Sequence, residues 1–258
     1  MGPRFSSPPC ASACIRSTID GRHGMEGMGA EHLDDPGELG TSGFAASLSA
    51  DELRDLMAMG RRQRFRAGSI IMNEGDTSER VLLLLAGRVK VYSVTESGRE
   101  VVLAIRSAGD LIGELSAIDS LPHSATADTL DDVEAIVLRA ASFRKFLTDH
   151  PETALMLLAM VTERLRDADR KRVEFGASDS VGRVAARLVE LANRFPRHVE
   201  GGVQIDMPFT QVELAGWTGL ARESVAKALR HLRDRGWVET RRRSFLVRDL
   251  EALRRRAT

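Results

Sequence analysis

The sequence predicts an α+β fold in which an antiparallel β-barrel is followed by one long helix and a smaller helical unit. Three observations support this prediction: glycine-separated β-rich runs in the first half of the chain, a heptad pattern that begins at Pro151, and three helical stretches with a final strand pair after Ala177. At 258 residues, the chain is long enough to form two hydrophobic cores.

Residues 1–42 show neither helical nor strand periodicity and are rich in glycine, proline and serine, so we expect a disordered tail. Both cysteines, Cys10 and Cys14, lie in this tail, which argues against a disulfide framework or a four-thiolate metal set. The tail lacks the apolar core of a secretory signal, and no apolar run reaches the about 18 residues that cross a bilayer. We therefore expect a cytoplasmic protein with no membrane partner.

Residues 43–150 are predicted to form the barrel. A short helix comes first, because apolar residues recur at helical spacing between Phe44 and Met59 and Ser49 is placed to cap it. The β-rich runs that follow are Ser69–Asn73, Val81–Ala86, Val89–Thr95, Val101–Arg106, Asp110–Ile112, Ser124–Thr129 and Val133–Arg139. Glycines punctuate them every 7 to 12 residues, a spacing typical of antiparallel strands joined by tight turns.

Residues 151–176 are predicted to form one long helix. Positions that recur at alternating steps of four and three residues are Ala154, Leu158, Val161, Leu165, Ala168, Arg172 and Phe175. This heptad seam favours pairing with a second copy of the chain, so we expect a homodimer. A helix that packs only within its own chain is the alternative.

Residues 177–258 are predicted to form a third unit. Its helices and strands are, in order, Ser180–Arg194, Gln211–Thr218, Arg222–Arg235, Trp237–Thr240 and Phe245–Arg248. This order is typical of a winged helix-turn-helix. Gly219 supplies the positive φ that lets the third helix leave the second at a steep angle.

The charge distribution points to a polyanionic partner. Residues 1–176 hold 21 Lys and Arg against 27 Asp and Glu, whereas residues 177–258 hold 16 against 10. A basic segment on an otherwise acidic protein is typical of a nucleic-acid-binding module, although such charges can also be a solvated surface.

The third helix of this unit carries the residues suited to reading bases. Arg222, Glu223 and Lys227 share one broad face, and the apolar residues Val225, Leu229 and Leu232 share the other. An arginine can fork onto guanine and a glutamate can accept from cytosine. We therefore expect double-stranded DNA as a partner, with an ordinary amphipathic helix as the alternative.

Three motifs occur in a fixed order: Gly113-Glu114-Leu115-Ser116 with His123-Ser124-Ala125-Thr126, then Val181-Gly182-Arg183-Val184-Ala185, then Gly219-Leu220-Ala221-Arg222-Glu223-Ser224-Val225. On these motifs the chain resembles the Crp/Fnr transcription regulators, over about 215 residues from Phe44 onwards. The resemblance implies a jelly-roll barrel like that of cyclic-nucleotide-binding domains, a dimerisation helix and a winged helix-turn-helix.

The resemblance also implies two sets of site residues. The effector-binding set is Gly113, Glu114, Leu115, His123, Ser124 and Ala125, with Glu114 accepting from a ribose 2′-hydroxyl and Ser124 facing the cyclic phosphate. The DNA-binding set is Thr210, Arg222, Glu223, Ser224, Lys227, Arg241, Arg242 and Arg243, with Thr210 contacting phosphate. A regulator of this type would bind an inverted DNA repeat and RNA polymerase.

Two departures from the family pattern concern the effector. His123 stands where nucleotide-binding members have an arginine, and imidazole is mostly uncharged at about pH 7.5. A lost charge-assisted hydrogen bond weakens binding by about 1.5–3 kcal/mol, unless protonation of His123 below about pH 6.5, Arg139 or another cation restores the charge. Ala168 and Asp169 fall where cyclic-AMP-binding members offer hydroxyls to adenine. Cyclic AMP, another small effector and no effector therefore all stay open.

The leading prediction is a homodimeric, sequence-specific transcription regulator controlled by a small effector in the barrel. The alternative is a constitutive DNA-binding architectural protein whose barrel is ligand-free. An enzyme is not expected, because the sequence offers no nucleophile–base pair, metal set or phosphate loop. Trp217 is expected in the core, and the Arg254–Arg256 run either touches DNA phosphate or is a solvated helix end.

Overall fold

The computed structural model describes residues 43–77, 79–206, 210–241 and 244–257. The predicted tail with Cys10 and Cys14 lies outside the described residues, and so do Arg242 and Arg243 of the predicted wing.

The described residues form eight α-helices and twelve β-strands. The helices are α1 (Ala50–Ala58), α2 (Glu114–Asp119), α3 (Ala140–Asp149), α4 (Pro151–Ala177), α5 (Ser180–Arg194), α6 (Gln211–Thr218), α7 (Arg222–Asp234) and α8 (Leu250–Ala257). The strands are β1 (Arg61–Phe65), β2 (Ile70–Met72), β3 (Arg80–Ala86), β4 (Arg88–Val94), β5 (Glu100–Ser107), β6 (Leu111–Ile112), β7 (Thr126–Thr129), β8 (Val133–Arg139), β9 (Arg197–Val199), β10 (Gly202–Asp206), β11 (Val238–Arg241) and β12 (Ser244–Val247).

The first eight strands form two antiparallel four-stranded sheets in a jelly-roll-like sandwich. Their strand orders are β1-β8-β3-β6 and β2-β7-β4-β5. In β3, Leu82 and Leu84 face the other sheet, whereas Val81 and Leu83 face a second core built with Phe143 and other residues of α1, α3 and α4. Because successive strand residues alternate between faces, a strand buried on both faces needs the continuous apolar run that β3 has.

Three elements near this sandwich do not appear in the sequence prediction. β1 has the sequence Arg-Arg-Gln-Arg-Phe and pairs with β8 at the edge of its sheet. Its apolar alternation is absent, and Arg62 instead pairs with Glu134 of β8 at 2.5 Å. Helices α2 and α3 were also missed, although Phe143 and Phe146 of α3 are both fully buried at a helical i, i+3 spacing that could have revealed it.

Helix α1 begins as the sequence predicts. The Ser49 hydroxyl accepts from the backbone N–H of Glu52 at 3.3 Å, and the Glu52 carboxylate accepts from the backbone N–H of Ser49 at 2.8 Å. This reciprocal pair is a capping box, which satisfies two otherwise unpaired donors at the helix start.

Helix α4 runs unbroken over 27 residues from Pro151. A proline at the first helical position is favourable because its missing N–H would have no partner there. Within the chain only Thr153 and Leu157 of α4 are buried, whereas Leu158 and Leu165 are each 61% exposed. A long apolar stripe of α4 is therefore uncovered by the described residues.

The C-terminal unit consists of α5–α8 and a sheet in the order β11-β12-β10-β9. Leu188, Trp217 and Leu229 lie in its core, and this core continues into Val102 and Ile105 of β5. The first helix of the helix-turn-helix, α6, thus packs on the sandwich. Strands β9 and β10 were not predicted from the sequence, whereas α5 and α6 have the predicted bounds.

Candidate functional site

A cleft of about 1660 Å³ opens between the sandwich and α4. Its walls come from β5, the turn into α2, residues 123–125 and one side of α4. All six residues of the predicted effector-binding set line it: Gly113, Glu114, Leu115, His123, Ser124 and Ala125. At Gly113 the φ angle is +83°, and an added Cβ would lie 2.7 Å from the carbonyl oxygen of Arg80. A glycine is therefore needed where the chain passes this close to β3.

Glu114 is only 4% exposed, and its carboxylate pairs with the guanidinium of Arg164 from α4. A buried carboxylate needs such a partner, because leaving it unpaired costs several kcal/mol. The residue that the resemblance gives to a ribose hydroxyl is thus already bound by a cation. This pair also ties α2 to α4.

His123 is 5% exposed, and its Nδ1 lies 2.9 Å from the hydroxyl of Ser116. Its Nε2 is buried without a hydrogen-bond partner among the described residues. Burial lowers the pKa of His123, with a further lowering by Arg80 that Asp76 and Glu114 oppose. The expectation that mild acidification below pH 6.5 restores a positive charge is therefore corrected: a lower pH is needed.

Cations enter the cleft from elements that the sequence pattern did not connect. Arg106 of β5 and Arg164 of α4 both line it. Burial lowers the pKa of Arg106 to about 10, and the charge of Arg164 contributes next. Arg139, the substitute cation considered from the sequence, is exposed at the end of β8 and does not line the cleft. Positive charge is thus present in the cleft.

The two positions that the resemblance places beside adenine, Ala168 and Asp169, differ in whether they line the cleft. Ala168 lines the cleft, whereas Asp169 does not. The Asp169 side chain is mostly exposed and faces Arg172 at 3.8 Å. Its carboxylate therefore does not add negative charge to the cleft of its own chain.

Helix α7 has the two faces that the sequence predicts. Arg222, Glu223 and Lys227 are exposed, Ser224 is half-buried, and the opposite residues Val225, Leu229 and Leu232 are fully buried. Gly219 ends α6 with a φ of +65° in the left-handed region, as predicted. Ala221 precedes α7 and offers no side-chain cap, and a missing cap of this kind costs about 1 kcal/mol of helix stability.

Two other predicted DNA-binding residues lie at element ends. Thr210 caps α6, accepting from the backbone N–H of Glu213 at 3.4 Å and donating to the Glu213 carboxylate at 3.1 Å. Arg241 ends β11, is exposed, and lies 3.3 Å from the carboxylate of Glu239.

The last helix, α8, packs on α5. Arg254 donates to Asn193 at 3.0 Å, and Arg256 pairs with Asp179 at 2.5 Å. These two arginines therefore anchor α8 rather than standing free at its end. Trp217 is buried, as predicted, with the guanidinium of Arg187 5.9 Å from its ring centroid.

In the described part of the chain, no three His, Cys, Asp or Glu side chains are grouped as a metal would require. No helix of that part is long and apolar enough to cross a membrane.

Comparison with known proteins places both halves of the chain among familiar domains. Residues 62–150 match the cyclic nucleotide-binding domain, and residues 182–256 match the Crp-like helix-turn-helix domain. The CRP-like cAMP-activated global transcriptional regulator of Mycobacterium tuberculosis is 34% identical over 193 residues, which cover 75% of this chain and 86% of that protein. The cyclic AMP receptor protein of Thermus thermophilus is 27% identical, over 74% and 85%.

Solved structures show the same architecture. A CRP-family transcriptional regulator from Thermus thermophilus superposes with a TM-score of 0.65 at 25% identity, covering 76% of this chain and 96% of that one. FixK2 from Bradyrhizobium japonicum superposes with a TM-score of 0.68 at 24% identity, covering 77% and 98%. The second likeness shows the fold alone.

Proposed function

Because this chain belongs to the Crp/Fnr family of transcription regulators, we propose that it acts as a homodimer on an inverted DNA repeat and responds to a small effector in the cleft. Members of this family regulate transcription through sequence-specific DNA binding. The chain is therefore a regulator rather than an enzyme. The observation that carries the proposal is α7, which buries one face and exposes Arg222, Glu223 and Lys227 on the other.

Roles within the DNA interface follow from chemistry and position. We assign Arg222 to guanine, Glu223 to cytosine, and Lys227 to a second guanine or a phosphate. Thr210, Ser224 and Arg241, together with Arg242 and Arg243, are assigned to backbone contacts, which orient the protein without reading sequence. A regulator that binds promoter DNA would act in the cytoplasm and contact RNA polymerase.

The homodimer rests on the uncovered stripe of α4. Leu158 and Leu165 lie one heptad apart on α4 and are each more than half exposed. Monomeric proteins rarely leave a contiguous apolar surface of this kind in water. A second copy of α4 would cover it by heptad packing. A helix packed only within its own chain does not account for these exposed leucines.

The effector site is assigned to the cleft and its six lining residues from the predicted set. The match to the cyclic nucleotide-binding domain supports a nucleotide-sized ligand, and cyclic AMP is named for two relatives. His123 and Ala168 offer less to a cyclic AMP molecule bound in the family's manner, so other anionic effectors stay in the proposal.

A two-part experiment tests this function. Selection of bound oligonucleotides by the full chain is expected to recover a palindrome whose half-sites lie about one helical turn, 34–36 Å, apart. Titration of the selected DNA with and without cyclic AMP and other nucleotides then measures effector control. Recovery of DNA with no palindrome, and with affinity that no effector changes, would favour the constitutive architectural protein.

A further inference from the structure

Arg106 of β5, Arg164 of α4 and Arg194 of α5 all line the cleft. Arg106 of β5 is within electrostatic range of Arg164, Arg194, Asp110 and Glu114. His123 is within range of Glu114, Asp76 and Arg80 instead. Glu114 is common to both sets.

The two carboxylates near Arg106 already form ion pairs with other arginines. Glu114 pairs with Arg164, and Asp110 pairs with Arg194 of α5 at 2.5 Å while also accepting from the backbone N–H of Ser107 at 2.9 Å. Three arginines therefore face two carboxylates. In the part of the chain that the structure describes, the Arg106 guanidinium donates no hydrogen bond and forms no ion pair, which leaves it as the surplus charge.

An unpaired guanidinium in a half-buried position is costly to a protein. Burial and the neighbouring Arg164 lower the pKa of Arg106 to about 10. The guanidinium is nevertheless still charged at neutral pH. Guanidinium offers several N–H donors in a planar fork that fits carboxylate or phosphate oxygens in pairs. Arg106 thus has the chemistry of an anion site with no anion supplied by the chain.

His123 also lines the cleft and offers a different kind of group. His123 is buried and held through Nδ1 by Ser116, and its Nε2 has no partner among the described residues. Burial favours the neutral imidazole. A neutral ring nitrogen suits a hydroxyl or an amide better than it suits a phosphate.

We propose that Arg106 anchors a phosphate or carboxylate group of the effector at the β5 end of the cleft, while a neutral polar group of the effector faces His123. This inference rests on the effector role proposed above and specifies which group of the ligand binds where. The resemblance instead implies that the phosphate faces residues 123–125. Since Asp110 beside Arg106 also holds Arg194, the bound anion would adjoin the contact between the sandwich and α5.

The test uses the full chain and four probes: inorganic phosphate, pyrophosphate, citrate and cyclic AMP, each compared with chloride at equal ionic strength. We expect phosphate, pyrophosphate or citrate to raise the melting temperature of the wild type. In calorimetry, Arg106→Met should weaken that binding at least tenfold, and Arg106→Lys should weaken it less. The control Arg54→Met, which removes an exposed arginine of α1 that does not line the cleft, should bind as the wild type does. Preference for the phosphates or for citrate identifies the class of anion.

Three results would overturn the proposal: no response of the wild type to any of the four probes, unchanged affinity in Arg106→Met, or a lower melting temperature of unliganded Arg106→Met. The last would mean that the guanidinium has a structural partner. The proposed function fails separately, if anions bind at Arg106 but leave DNA affinity in a gel-retardation titration unchanged. Arg222→Ala, which should lose DNA affinity and keep anion binding, provides the reference for that distinction.

Discussion

Lys90 of β4 and Glu213 of α6 face each other across the contact between the sandwich and the helix-turn-helix, with Nζ 3.3 Å from Oε1. The Glu213 carboxylate also accepts from the backbone N–H of Thr210 at 2.6 Å in the capping box that begins α6. The same side chain thus stabilises the start of a DNA-binding helix and its attachment to the sandwich. The Glu213 carboxylate therefore contacts both the sandwich and the start of the helix-turn-helix.

Replacing Lys90 with methionine should destabilise the protein. Lys90 is only 5% exposed, and its ammonium group lies between Glu100, Asp128 and Glu213. Burial alone would lower the pKa of Lys90, but these carboxylates outweigh it and raise the pKa. Without the lysine three carboxylates repel one another, so we expect a loss of about 1.5–3 kcal/mol in urea unfolding.

The matched control for this prediction is Lys145→Met. Lys145 pairs with Asp149 one helical turn away on an exposed surface, and such pairs contribute about 0.3–0.5 kcal/mol. Equal losses in the two variants would mean that the Lys90 cluster does not hold the sandwich and α6 together.

Replacing both Leu158 and Leu165 with glutamate should convert the dimer to monomers. Burying one leucine side chain in the dimer interface contributes about 1.5–3 kcal/mol to the free energy of association. In the double variant, the introduced carboxylates of one protomer would also repel those of its partner across the two-fold seam. Sedimentation velocity of Leu158→Glu/Leu165→Glu should show a single species of half the wild-type mass. Arg170→Glu, which also adds negative charge to α4 but lies off the seam, should remain dimeric. A double variant that still sediments as a dimer would locate the interface elsewhere.

Arg222 and Arg241 should affect DNA binding in different ways. Arg222→Ala is expected to cost about 1–3 kcal/mol on the selected site and to relax preference at one base pair, because a base contact is lost. Arg241→Ala should weaken all sequences alike and reduce the salt slope by about one, because a phosphate contact is lost. Arg54→Ala on α1 serves as the control. If Arg222→Ala weakened random and selected DNA equally, the assignment of Arg222 to a base would not stand.

Glu52 should make stability depend on pH in the acid range. Its carboxylate accepts from the Thr153 hydroxyl at 2.6 Å and from the Ser49 hydroxyl at 2.7 Å. These hydrogen bonds, that from Thr153 first, lower the pKa of Glu52 from 4.5 to about 2. Stability from the ionised form is therefore present above about pH 4.5 and is lost as the pH falls through the folded-state pKa.

Thermal melts of wild type and Glu52→Gln between pH 2 and pH 6 measure this contribution. The gap between the two melting temperatures should be widest above pH 4.5 and should close on acidification. A gap that is constant across this range would show that the charge of Glu52 plays no part.

The elements whose signals are local were predictable from the sequence. The bounds of α5 and α6 and the left-handed turn at Gly219 agree with the structure, because helical periodicity, caps and glycine conformation depend on residues within a few positions of one another. The division of α7 into a polar and an apolar face was visible for the same reason. Strand β1 was missed because its polar residues are held by pairing with β8 rather than by an apolar pattern.

The sequence by itself determined the family and the order of the three units, and through the resemblance it pointed to six residues that line the cleft. Only the tertiary structure brought Arg106 and Arg164 into that cleft, paired Glu114 with Arg164, and gathered Lys90 and Glu213 at one contact. The physical reason is that burial and charge depend on distances between side chains, and residues from separate strands and helices acquire those distances only when the sheets and α4 pack.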